Sequence, residues 1–126
     1  MNRQVIHTEK APQAIGPYSQ AIKVNGMVYT SGQLGFKPGT ADLFATVEEQ
    51  THQAMKNLQA ILEEAGTSLE KVVKTTVFVQ DLNDFAKVNE AYHTYFQKDA
   101  PARSCVQVAA LPKGALVEIE AIAVVE

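Results

Sequence analysis

Lys71-Val72-Val73-Lys74-Thr75-Thr76-Val77-Phe78-Val79-Gln80 is the stretch on which the fold turns. Its β-branched residues read as a strand, and its C-terminal half is apolar on both faces, as a strand inside a sheet requires. Helical patterns lie on either side. Upstream, Thr46 and Glu49 have the spacing of a capping box. Val47, Ala54, Met55, Leu58, Ile61, Leu62 and Ala65 then recur on one helix face until Gly66. Downstream, a second helix is expected to start near Asn83 or Asp84 and to bury Phe85, Val88, Tyr92 and Phe96.

Further out, Ile22-Lys23-Val24 and Met27-Val28-Tyr29 flank Asn25-Gly26, the pairing that a type I′ hairpin turn favours. Ser31 to Gly39 reads as a loop from its Gly and Pro content. Two strands, about residues 104–109 and 116–125, close the chain, and a short extra strand is expected near Val5. The order ββ-α-β-α-ββ predicts an α+β sandwich, a mixed sheet with two helices on one face, as a single domain over residues 1–126. Two helices can cover one face of such a sheet. The other would carry Val77 or Phe78 with either Ile119 and Ala121 or Ile122 and Val124. Monomers rarely leave an apolar patch of that kind bare, so a symmetric oligomer is expected to cover it.

At 126 residues and 13.7 kDa the chain can bury a substantial core. A formal charge of −3 and a pI near 5.6, with 11 basic residues spread out, argue against nucleic acid as a partner. One cysteine makes no internal disulfide. No stretch resembles a secretory signal or a membrane span, and the cytoplasm is the expected compartment. His7, His52 and His93 fall in different elements without metal-ligand spacing, so no metal is expected. His52, off the apolar stripe of its helix, reads as solvated. Gly32, Gly35 and Gly39 match no phosphate-binding loop.

Chemistry concentrates at Pro101-Ala102-Arg103-Ser104-Cys105-Val106-Gln107-Val108 and Val117-Glu118-Ile119-Glu120-Ala121-Ile122-Ala123. Alternation puts Arg103 and Cys105 on one face of the first strand, and Glu118 and Glu120 on one face of the second. Charges on core-like strands are costly unless paired or used. Arg103 therefore reads either as a structural partner of Glu118 or Glu120, or as a planar fork for a ligand carboxylate. Cys105 reads as a small hydrophobe, although its backbone N–H could bind a substrate oxygen beside Arg103. Asn89 is a polar residue within the apolar stripe of the second helix. Tyr18 directly follows a Gly-Pro turn that fixes its approach.

Five blocks, IGPYSQA (15–21), TSGQ (30–33), KTTVFVQDLNDFAKVNEAY (74–92), PARSCVQVA (101–109) and LPKGALVEIEAIAV (111–124), resemble the YjgF/RidA family in order along nearly the whole chain. The likeness is to its archetypal branch, deaminases of reactive enamines and imines. It implies a chorismate-mutase-like fold and a homotrimer with ligand clefts between subunits. It also implies hydrolysis of short 2-imino or enamino acids, such as 2-aminoacrylate, 2-iminobutanoate and 2-iminopropanoate, to 2-keto acids and ammonia. By the same likeness Arg103 would bind the substrate carboxylate with the Cys105 backbone N–H. Glu118 would position or activate water, Tyr18 would contact the reacting end, and Ser31, Gly32 and Asn89 would shape the cleft. No metal or organic cofactor is implied. The chain departs from the family pattern at Ala110, commonly arginine, in the 34–44 loop, and in a shortened approach to Pro101.

A plain hairpin of the last two strands, with Ala109 opposite Leu116, would set Cys105 against Glu120 and Gln107 against Glu118. That register makes Glu120 the neighbour of Arg103, whereas the resemblance assigns Glu118. Two other functions compete: a non-catalytic regulatory protein that binds small carboxylates, and a ribonuclease or translation inhibitor. The acidic balance and the lack of a histidine acid/base pair count against the last.

Overall fold

The stretch at residues 71–80 forms strand β5, Val72–Val79, in a computed structural model that describes residues 2–126. Before it come β1 (Gln4–Ile6), β2 (Ala21–Val24), β3 (Met27–Thr30), β4 (Gln33–Leu34) and helix α1 (Val47–Glu64). After it come α2 (Phe85–His93), β6 (Ala102–Gln107) and β7 (Val117–Val124). The seven strands make one mixed sheet ordered β1-β2-β3-β7-β5-β6, with β4 pairing β7 beyond the end of β3. Among the described residues only β5 and β6 run parallel, and every other pairing is antiparallel. Both helices lie on one face, as expected.

Local signals account for most of these boundaries. Asn25 and Gly26 take left-handed φ values of 52° and 75° and join β2 to β3. At α1 the Thr46 hydroxyl accepts the Glu49 N–H at 3.1 Å, and the Glu49 carboxylate accepts the Thr46 N–H at 3.2 Å. Alternation along β7 then builds the core. Val117, Ile119, Ala121 and Ala123 are buried beneath Ala54, Met55, Leu58, Ile61 and Leu62 of α1. Val77 and Val79 of β5 join them, with Val88, Tyr92 and Phe96 from the second helical region.

Several expectations change. The strand expected at 104–109 is β6 at 102–107, and it pairs with β5 rather than β7. The segment between β6 and β7 wraps the end of β5. Val108 N–H donates to the Val79 carbonyl at 3.0 Å, and Gln80 N–H to the Leu116 carbonyl at 3.1 Å. The hairpin register with Ala109 opposite Leu116 is therefore overturned, because a parallel β5-α2-β6 crossover leaves β6 on the outer edge. The supposed loop at 31–39 contains β4, with Gln33 opposite Ile119 and Leu34 opposite Glu118. Phe85 is 38% exposed rather than buried. His52 is not simply solvated: its Nδ1 lies 2.9 Å from the Tyr95 hydroxyl, and the two rings pack at 5.6 Å.

On the face without helices, Val5, Ile22, Tyr29 and Ile122 form a cross-strand row through β1, β2, β3 and β7. Val5 and Tyr29 are exposed. Among the described residues no helix is long and apolar enough to cross a membrane.

β4 lies directly on α1. A Cβ on Gly35 would collide with the backbone of Gln50, so only glycine lets the strand approach this closely. Gly35→Ala is expected to lower stability by about 1–3 kcal/mol through overpacking, read as a lower urea midpoint with an unchanged slope.

Candidate active site

The sequence-predicted site residues fall into two clusters on opposite sides of the sheet. The first surrounds Arg103. Its Nη1 donates to Asn89 Oδ1 at 2.7 Å, and its guanidinium carbon stands 5.4 Å from the Phe85 ring centre and 5.0 Å from that of Tyr92. All three partners come from α2, which the β5-α2-β6 crossover lays over the Arg103 face. The Tyr92 hydroxyl is 2.7 Å from that of Thr75. Burial raises the Tyr92 pKa, against smaller opposing effects of the Thr75 bond and the Arg103 charge, so the phenol stays neutral.

No carboxylate among the described residues lies within ion-pair distance of Arg103; the one ion pair joins Lys71 to Glu126 at 3.1 Å. The structural pairing of Arg103 with Glu118 or Glu120 is thus overturned. Instead the cation is held by an amide and two ring faces, each a favourable contact for a guanidinium. It borders a hollow of about 490 Å³ lined by Asn89, Tyr92, His93, Phe96, Pro101 and Ala100.

Cys105 follows two positions along the same face. Burial raises its thiol pKa and Arg103 opposes this only in part, so it is a protonated thiol at neutral pH and a poor nucleophile. Its main chain is better placed. Because Val108 N–H points at β5, two-residue alternation aims the Cys105 N–H off the outer edge of the sheet, beside Arg103.

The second cluster lies on the uncovered face. Glu118 sits in a cross-strand row between Leu34 of β4 and Phe78 of β5, with Val106 beyond. A bulge shapes this place. Tyr29 pairs with Ile122 and Gln33 with Ile119, so the β3–β4 side carries one residue more than β7 across residues 30–32. A Cβ on Gly32 would fall on the Glu118 carboxylate; glycine there leaves the acid its room. Desolvation raises the Glu118 pKa, and the nearby Glu120 charge raises it further. Ser31 Oγ donates to the Ser19 carbonyl at 2.6 Å, and the Tyr18 phenol accepts the Ile15 N–H at 3.4 Å. Both line a hollow of about 360 Å³ with Arg3, Ile22 and Tyr29.

Arg103, Cys105 and Asn89 therefore group together, as do Glu118, Gly32 and Ser31 with Tyr18 nearby, but the groups do not meet within one chain. Through β5, Arg103 aligns with Thr75 and Ala121 on the helix side, whereas Glu118 aligns with Phe78 on the other. Neither glutamate is the neighbour of Arg103. Asn89, expected in the cleft wall, has its carbonyl oxygen engaged by Arg103. Sequence reasoning missed Phe85, Tyr92 and His93 around the guanidinium. The spacing of Phe85, Asn89 and Tyr92 on one helix face was the available signal. Among the described residues no three His, Cys, Asp or Glu side chains gather as metal ligands.

Comparison with known proteins bears on this arrangement. A family model described as endoribonuclease L-PSP matches residues 8–125. A mouse protein named 2-iminobutanoate/2-iminopropanoate deaminase is 57% identical over 123 residues, covering 97% of this chain and 91% of its own. A RutC family protein of Pyrococcus abyssi is 53% identical, covering 98% of both chains. The crystal structure of Escherichia coli TdcF with bound serine superposes with a TM-score of 0.93 at 48% identity, covering 98% of this chain and 99% of that one.

A raised carboxyl pKa favours the protonated fold. The Glu118 contribution to stability is present below the unfolded value of about 4.3 and is lost as pH rises through the folded value. Glu118→Gln is thus expected to hold or raise the melting temperature at pH 7. In a carboxyl-carbon NMR titration Glu118 is expected to titrate above the ordinary range, and Glu120→Gln to lower it.

Proposed function

Because this chain belongs to the YjgF/RidA family, we propose that it hydrolyses short 2-imino acids, and their enamine tautomers such as 2-aminoacrylate, to 2-keto acids and ammonia. The observation that carries this reading is the Arg103 fork, without a carboxylate partner among the described residues and fixed by Asn89 and two aromatic faces beside an outward backbone N–H. Such a fork suits a carboxylate, which accepts two parallel charge-assisted bonds of about 2.7–2.9 Å. The name of the mouse relative favours imines over other carboxylates.

The chemistry needs little beyond position. The imine carbon is already electrophilic, so the protein must hold the carboxylate and deliver a water. The ionised Glu118 takes a proton from that water as its oxygen bonds to C2. The protonated carboxyl returns that proton to nitrogen, giving a carbinolamine. Glu118 then takes the hydroxyl proton as the C=O bond forms and passes it to nitrogen, and the C–N bond breaks to release ammonia. A base works best with a pKa near the working pH, and the upward shift of Glu118 moves it that way.

The two clusters can serve one substrate if a neighbouring copy supplies the second. In this reading three copies bury their uncovered faces together, and the Arg103 edge of one meets the Glu118 face of the next. The row from Val5 to Ile122, exposed at Val5 and Tyr29, supplies the apolar contact. Light scattering is expected to give three times the 13.7 kDa chain mass at micromolar concentration; a single-chain mass would remove the shared cleft.

Imines made in situ by a dehydratase from serine or threonine provide the main test, and keto-acid formation is expected to accelerate with protein concentration. Arg103→Ala is expected to lose about 2–5 kcal/mol of binding, roughly 30- to several-thousand-fold in activity, with assembly intact. Arg103→Lys is expected to be poor because an ammonium lacks the planar fork. Glu118→Gln is expected to bind 2-ketobutyrate yet turn over slowly, and Cys105→Ala to retain most activity. Binding of 2-ketobutyrate without any acceleration would instead mark a carboxylate-binding protein without turnover.

A further inference from the structure

We infer that two buried amides of α1, Gln50 and Asn57, are positioning residues that set where the Glu118 carboxylate stands, acting through the pairing of β4 with β7. The inference rests on the reading of Glu118 as the group that activates water. Gln50 and Asn57 are 3% and 2% exposed. They stand seven residues apart, two turns along a buried helix face whose other residues are apolar except Thr51, which donates to the Val47 carbonyl of its own helix.

Both ends of both amides are engaged, and one bond from each goes to a segment beside Glu118. Gln50 Oε1 accepts the Leu116 N–H at 2.8 Å, two residues before Glu118. Gln50 Nε2 donates to the Phe44 carbonyl at 2.7 Å, and Phe44 N–H donates to the Gly35 carbonyl at 3.0 Å. Asn57 Nδ2 donates at 3.0 Å to the carbonyl of Leu34, the residue opposite Glu118. Asn57 Oδ1 accepts from Gln53 Nε2 at 2.9 Å. A buried amide gains little net stability even when fully bonded. Its effect is to specify position.

β4 needs such pins. Two residues of ladder hold a register weakly, and the bulge at Ser31–Gly32 interrupts the pairing with β7 between β3 and β4. Gly32 stands one residue from β4 and directly against the Glu118 carboxylate. A shift of β4 along β7 therefore reaches the carboxylate, altering both its position and its exposure to water. The side chains around Glu118 make that shift measurable. Glu120, on the same strand, is the charged neighbour acting on it. β4 presents Gln33 and Leu34, the bulge Ser31 and Gly32, and β5 Phe78, none of which titrates near neutrality. Lys74 of β5 pairs with Ile122 and sends its ammonium to the Ser104 hydroxyl at 3.1 Å.

The test uses Gln50→Met and Asn57→Leu, each close in volume and without hydrogen bonds, in the full chain. Each pins a different segment, so either variant that folds suffices. Glu118 is followed by carboxyl-carbon NMR, turnover by imine hydrolysis, and the Arg103 side by calorimetric 2-ketobutyrate affinity. We expect the Glu118 titration to fall toward the ordinary carboxylate range. We also expect kcat to drop about ten- to a hundredfold, with 2-ketobutyrate affinity within about twofold. A lower melting temperature with unchanged titration and unchanged kcat would overturn the inference, leaving the amides a purely structural role. If the wild-type protein hydrolyses no imine, the functional reading falls. The NMR titration still decides whether the amides position Glu118.

Discussion

The constraint on which the structure depends is that two helices cover one face of a seven-stranded sheet. β7, between β3 and β5, reads it out residue by residue. Val117, Ile119, Ala121 and Ala123 lie under the helices, while Glu118, Glu120, Ile122 and Val124 face away. The hydrophobic core and the candidate base are thus the two sides of one alternating strand. A one-residue slip would bury the carboxylates and expose the core, so the apolar packing that stabilises the fold also dictates the side on which Glu118 stands.

Arg103 is held on the opposite side by different physics. A buried guanidinium paired to a carboxylate would gain Coulomb energy, but its fork would be occupied. Here Asn89 takes one N–H, and Phe85 and Tyr92 offer ring faces to the cation. These contacts leave donors of the fork unused. The Thr75 hydroxyl fixes the Tyr92 ring by its oxygen, so the cradle extends from the sheet through the helix to the cation. An arginine that is ordered yet unneutralised suits the capture of an anion.

Both halves are supported by polar groups that hydropathy patterning passes over. α1 looks like a plain amphipathic helix, yet Gln50 and Asn57 lie inside its buried stripe and bond to backbone about β4 and β7. Gly32 and Gly35 complete this region by what they lack, since a side chain at either would strike Glu118 or the backbone of α1.

The sequence alone carried both helices and every strand except β4, in their order. The Asn25-Gly26 turn, the Thr46–Glu49 capping box and the 3.6- and 2-residue apolar periods are local, and each acts within a few residues. It also determined that Arg103 and Cys105 share a face, that Glu118 and Glu120 share another, and which family pattern the blocks resemble. The tertiary structure alone decided strand order. Whether residues 102–107 pair with β5 or β7 depends on a crossover through α2, which no local signal records. That choice separates Arg103 from both glutamates. β4 was illegible for a related reason: two residues carry no period, and the pair exists because α1 and β7 hold it from either side.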